Sequence, residues 1–179
     1  VSASNLTHLQ AFETFGIDLT TGAFAVGAVA IGDIAGRAGM AVVGDRMDKR
    51  ILLSIAYAMQ TFGILALALV NFDLFGLSLG LIPVPIYAIG FGFGFGASIP
   101  IKLAILADYY GRRSYGSLLG ISSSVASLFG AGGAFFAGAM YDFTGSYRIP
   151  FFFMAIMLSV AIPLSLWLQS QERVAAIAR

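Results

Sequence analysis

Apolar residues in this chain run in stretches long enough to cross a lipid bilayer, and no other feature constrains its fold so strongly. A helix needs about 20 such residues to span a hydrocarbon core about 30 Å thick. Five stretches reach that length, at about 20–43, 51–71, 80–107, 115–140 and 149–169. Inside hydrocarbon each backbone N–H and C=O must find its partner within the protein, so these segments fold as helices rather than open strands. Only 11% of the residues are charged and the mean hydropathy is +0.90, whereas a soluble domain carries about a quarter charged residues. Lipid is therefore the expected solvent. The fold class that follows is an all-α membrane protein of about five transmembrane helices.

Residues 1–19 contain His8, Glu13 and Asp18 among apolar neighbours. They read as the end of a preceding helix and an outer loop. Val1 opens with neither an initiator Met nor a basic n-region, which fits the truncated start of a longer chain better than a signal peptide. Residues 20–169 form the expected five-helix domain, and 170–179 a tail. Orientation follows from the basic residues. Arg46, Lys49, Arg50, Arg112, Arg113, Arg173 and Arg179 fall on one side, and Arg148 alone on the other. By the positive-inside rule the first group is cytoplasmic, with the N-terminus outside and the C-terminus inside.

With no cysteine and a single histidine, thiolate or histidine metal clusters and nucleophile–histidine pairs are not available. The chain is expected to be no enzyme and to need no cofactor or metal. A net charge of +1 gives no basic field for nucleic acid. Small residues are frequent: Gly32 and Gly36, then Gly90, Gly92, Gly94 and Gly96 alternating with phenylalanines, then Ser122, Ser123, Ser124, Gly130, Gly132, Gly133 and Gly138. Such residues let helices pack closely in lipid. Pro100 and Pro163 each remove a backbone donor and are candidate kinks.

Two charges stand where lipid should exclude them. Asp33 and Arg37 lie inside the first span, four residues apart and so on one helix face. Counted from Asp45, they sit roughly 18 Å and 12 Å into the bilayer at 1.5 Å per residue. Each charge there costs on the order of 2.5–3.5 kcal/mol. One reading is a substrate and proton site. Arg37 offers a planar fork that matches a carboxylate, and a buried Asp33 can accept a proton. The other is a structural ion pair. Lys102, roughly 9 Å from Asp108 along its helix, reads either as an interfacial anchor or as a second cationic substrate contact.

The loop Gly44-Asp45-Arg46-Met47-Asp48-Lys49-Arg50 resembles the Gly-x-x-x-Asp-Arg-x-Gly-Arg-Arg loop of the major facilitator superfamily. Ala41 and Asp48 stand where that motif has its glycines. Ala107-Asp108-Tyr109-Tyr110-Gly111-Arg112-Arg113-Ser114-Tyr115-Gly116 is similar to the link between that family's tenth and eleventh helices. Gly138 to Arg148 is similar to the link before its last helix. The resemblance implies most of one six-helix half of that fold, helices eight to twelve, with the other half missing. It also implies a conformational-gating role for Asp45, Arg46, Lys49 and Arg50.

Asp33-x-x-x-Arg37 resembles the aspartate–arginine pair of proton-linked monocarboxylate carriers, and an arginine in this helix is similar to that of the oxalate–formate exchangers. The implied function is secondary transport of small organic anions, monocarboxylates above all, by proton symport or anion exchange. Arg37 and Asp33 are the implied substrate and coupling residues; the exchangers carry their lysine in the eleventh helix and Lys102 falls in the tenth, so Lys102 stays a candidate substrate contact on its own charge alone. The implied partners are the lipid bilayer, an organic anion, protons and the missing N-terminal half, and the Ala- and Gly-rich composition suggests a plasma membrane of the bacterial inner-membrane kind. A carrier of sugars or drugs, or a non-transporting scaffold, remains the alternative.

Overall fold

The computed structural model describes residues 19–44, 46–70, 73–74, 77–78 and 82–168. Helix α1 spans Leu19–Val43 and α2 spans Lys49–Ala68. A short antiparallel hairpin follows, β1 (Asp73–Leu74) against β2 (Leu77–Ser78), with Asp73 opposite Ser78. A 62-residue helical stretch, Pro83–Thr144, is broken only at Gly111 (φ 66°, ψ 177°). The break separates α3 (Pro83–Gly111) from α4 (Ser114–Thr144), and α5 covers Arg148–Trp167. All five helices are long and apolar enough to cross a membrane, so the all-α membrane class holds.

Local chemistry sets the helix ends. Asp48 caps α2, its carboxylate accepting from the Arg50 backbone N–H at 2.9 Å. Pro83 starts α3, where its missing N–H costs nothing. Gly145 ends α4 in the left-handed conformation and donates to the Tyr141 carbonyl at 2.7 Å.

Helix α3 is the centre of the packing, and its alternating glycines explain how. Residues two apart on a helix point to nearly opposite sides, while residues four apart share one. Gly92 and Gly96 therefore form one face, which meets α1 at Val29 and Asp33. Gly90 and Gly94 form the other, which meets α2 at Met59, Gly63, Ala56 and Gln60. One helix is clasped from both sides by backbone contact. Between the glycines, Tyr87, Phe91 and Phe95 stack along α3 with centroids 5.5 and 5.8 Å apart.

Two apolar clusters fill the remaining space. One joins Ala25 of α1, Ile64 and Leu67 of α2, Val84, Tyr87 and Ala88 of α3, and Phe151 and Ala155 of α5, toward the hairpin end. The other joins Leu52, Leu53 and Ala56 to Ala97 and Ile101, toward the end that carries Lys49 and Arg50, here the basic end. Buried polar groups bridge helices. Gln60 donates to the carbonyls of Ala56 and Gly94, at 3.3 and 3.1 Å. The Ser54 and Ser165 hydroxyls, on α2 and α5, meet at 2.7 Å.

Helix α4 departs from the packing expected of its small residues. Residues 121–133 are all exposed, and a Cβ at Gly130, Gly132, Gly133 or Gly138 would meet nothing within 4 Å. The break at Gly111 carries α4 away from α1–α3. It rejoins α5 through Phe136 on Phe153 (5.1 Å), Ala137, and Tyr141 on Tyr147 (4.5 Å). The residue that leaves helical geometry is thus Gly111, not Pro100, which α3 passes through.

The φ and ψ of Gly111 fall in a region open essentially only to glycine, so Gly111→Ala should cost about 1–3 kcal/mol. Thermal unfolding in detergent should register that loss. Gly116→Ala, at an open helical position, should instead leave stability unchanged or raise it.

Candidate functional site

The site begins with a spacing. Four residues apart on α1, Asp33 and Arg37 are brought together by one helical turn, whatever the rest of the fold does. Arg37 Nε donates to Asp33 Oδ1 at 3.0 Å and Nη2 to Oδ2 at 2.8 Å, a two-pronged guanidinium–carboxylate pair. Asp33 lies about 20 Å of helix from Thr20 and about 15 Å from Val43. Both charges therefore sit well inside the span.

Their surroundings differ. Asp33 abuts the seam between α1 and α3, where its backbone lies against Gly96. Its side chain is 24% exposed and that of Arg37 51%. The guanidinium thus looks away from the seam, toward a side that no described helix covers.

Two hollows lie elsewhere. One, of about 280 Å³, opens between α4 and α5 beside Gly130, Gly133, Phe151 and Met154. The other, of about 620 Å³, runs along α1 beside Thr20, Phe24, Gly27 and Ile31. Asp33 stands two residues past Ile31, about 200° around the helix. Neither hollow is lined by the ion pair.

Lys102 is exposed on α3 and makes no ion pair among the described residues. The structure does not join it to Asp33 or Arg37 by any hydrogen bond. Of the loop residues, Asp45 lies outside the described residues, and Arg46 is exposed, its backbone N–H donating to the Val43 carbonyl at 3.0 Å. Lys49 Nζ reaches Asp108 Oδ2 at 2.6 Å. Arg50 grips Asp48 through Nε and Nη2 (2.6–3.1 Å) and donates through Nη1 to the Leu168 carbonyl at 2.9 Å. The first turn of α2 is thereby tied to the last turn of α3 and to the end of α5.

Sequence reasoning missed the two carboxylates in this network. In the sequence Asp108 stands only as a helix-end reference for Lys102 and Asp48 as a departure from a glycine. The available signal was electrostatic: two acids close to the densest run of basic residues, on the same side of the membrane. Among the described residues no group of three or more His, Cys, Asp or Glu gathers as a metal site would need.

The profile of the Major Facilitator Superfamily matches residues 3–177. The chain belongs to that superfamily. No curated protein and no solved structure matches it. Membership of the superfamily, with five apolar helices, makes this an integral membrane protein of the transporter class.

The basic-end network has a pH signature. The Arg50 guanidinium beside Asp48 holds its carboxyl below the usual carboxylate range, with burial opposing and the Arg50 backbone N–H assisting. A lowered folded-state pKa stabilises the protein above the unfolded carboxylate value, near 3.9, and that stability disappears as pH falls through the lowered one. Asp48→Ala, which also removes the helix cap, should cost about 1 kcal/mol at neutral pH. Melts at stepped pH should show the gap to the unmodified protein narrowing in acid.

Proposed function

We propose that this chain belongs to a carrier of small organic anions, monocarboxylates above all, and supplies the helix that binds the anion and couples it to a proton. One observation carries the reading: a bidentate aspartate–arginine pair in the middle of a membrane span. Intramembrane charge is costly and marks substrate or proton pathways more often than scaffolding.

The chemistry follows from the fork. While Asp33 is ionised, its two oxygens occupy the Arg37 donors. A proton on Asp33 removes the negative charge and weakens that grip. Arg37 then turns both donors to a substrate carboxylate of the same shape. Proton and anion enter together, and loss of the proton restores the internal pair and expels the anion. Running the same exchange between two anions, without the proton, gives an antiporter. Lys102 would serve as a second cationic contact for the anion.

Alternating access would rock two halves about this site. The chain would form helices eight to twelve, with its basic end cytoplasmic and its first residues outside, in a bacterial inner membrane. Asp45, Arg46, Lys49 and Arg50 would form the gating loop, the last two holding the ends of α2, α3 and α5 together as one moving body.

Uptake of a labelled short carboxylate into vesicles carrying the full-length carrier tests the proposal. Arg37→Ala should reduce uptake at least tenfold, the loss expected when one partner of a charge-assisted pair worth about 1.5–3 kcal/mol is removed. Asp33→Asn should abolish the dependence of uptake on a pH gradient. Unchanged uptake in both variants would sink the mechanism, and competition by neutral sugars but not carboxylates would move the carrier to another substrate class.

A further inference from the structure

We infer that Gly96 and Gly92 of α3 are positioning residues for the Asp33–Arg37 pair: they fix α1 against α3 by backbone contact and so set where the carboxylate and guanidinium stand. The inference rests on the function proposed above and adds to it the part of the fold that holds the site in place.

The contact is unusually direct. A Cβ built on Gly96 would stand 2.7 Å from both Cα and C of Asp33, and closer still to its carbonyl oxygen. All three are backbone atoms, so no side-chain rotation relieves the clash. One turn earlier, a Cβ on Gly92 would meet Val29 O at 2.6 Å and its Cα at 3.0 Å. From the α1 side, a Cβ on Gly32 would lie 3.1 Å from Phe93 N. Asp33 thus has a wall of main chain behind it. Any methyl group on that wall moves α1 outward, and the ion pair moves with it, because both charges ride on α1 alone.

The opposite face of α3 provides a matched control. A Cβ on Gly94 would meet Ala56 O at 2.6 Å and Gln60 N at 3.0 Å, both on α2. Gly94→Ala makes the same change of residue in the same helix against a backbone wall as close as the one facing Gly92, yet pushes α2 rather than α1.

The experiment measures carboxylate uptake against pH and substrate concentration in the full-length carrier, normalised to protein in the membrane. The variants are Gly32→Ala, Gly92→Ala, Gly96→Ala and Gly94→Ala. KM and the pH midpoint of uptake should shift in the order Gly32→Ala, then Gly92→Ala, then Gly96→Ala. For the last, kcat/KM should fall by roughly 10- to 100-fold, as misplacement of a binding group by about 1 Å can do. Gly94→Ala should lower the amount of folded protein while leaving KM and the pH midpoint in place.

If Gly96→Ala does not reach the membrane, the two milder variants carry the same ordered expectation. Equal shifts from Gly94→Ala and Gly92→Ala, or no shift in any α1-facing variant that reaches the membrane, would overturn the positioning role. Loss of pH dependence in Asp33→Asn together with unshifted glycine variants would leave the anion-carrier reading standing and remove only this one. Unaltered uptake in Asp33→Asn and Arg37→Ala would remove both.

Discussion

Lipid tails are as apolar as leucine, so helices inside a bilayer gain nothing from hiding apolar surface in one another. What remains is contact itself, many weak attractions that lose roughly a quarter to a half of their strength over a gap of 0.5–1 Å. In this protein that contact is made at α3. With Gly92 and Gly96 against α1 and Gly90 and Gly94 against α2, the two neighbours approach until main chain touches main chain. Gln60 adds a hydrogen bond to the Gly94 carbonyl at that second seam. The Tyr87–Phe91–Phe95 stack runs along α3 beside these seams. The other features of the fold, including the positions of the charges, depend on this clasp.

The number and character of the helices were legible because they follow from a length and a solvent: about 20 apolar residues and a 30 Å core admit few other outcomes. The pairing of Asp33 with Arg37 was legible for a similar reason, since an interval of four residues is a contact within any helix. Partners across helices were not legible. Lys49 and Asp108 are 59 residues apart, and no periodicity says that the first turn of α2 returns to the last turn of α3. Small residues misled in α4, where glycines and serines look the same in sequence whether or not a helix lies against them. The break at Gly111 depends on a backbone angle that one letter permits but does not announce.

The charges fall into two groups that use different physics. At the basic end Lys49, Arg50, Asp48 and Asp108 are partly solvated, and such pairs contribute modestly, about 0–1 kcal/mol each. Their effect is geometric: they tie three helix ends into one unit. Within the span, opening the Asp33–Arg37 pair breaks two charge-assisted hydrogen bonds at once, so it is costly without a substitute partner. Under the proposed function a substrate carboxylate would be such a substitute, and the guanidinium, half exposed, is open on the side of α1 that the described helices leave uncovered.

These two conditions place a requirement on the scaffold. A pair that exchanges one carboxylate for another, as proposed, would need its guanidinium free to turn but its helix unable to drift. Large interdigitating side chains would make a poor mount, because rotamer changes would let α1 slide by tenths of an ångström. A seam of main chain has no rotamers to change. Asp33 stands against such a seam, while the half-exposed Arg37 keeps its four-bond stem clear of it. Rigidity on one side of the pair and freedom on the other follow from where the sequence puts its glycines: at alternate positions of α3, two facing α1, which carries the charges, and two facing α2.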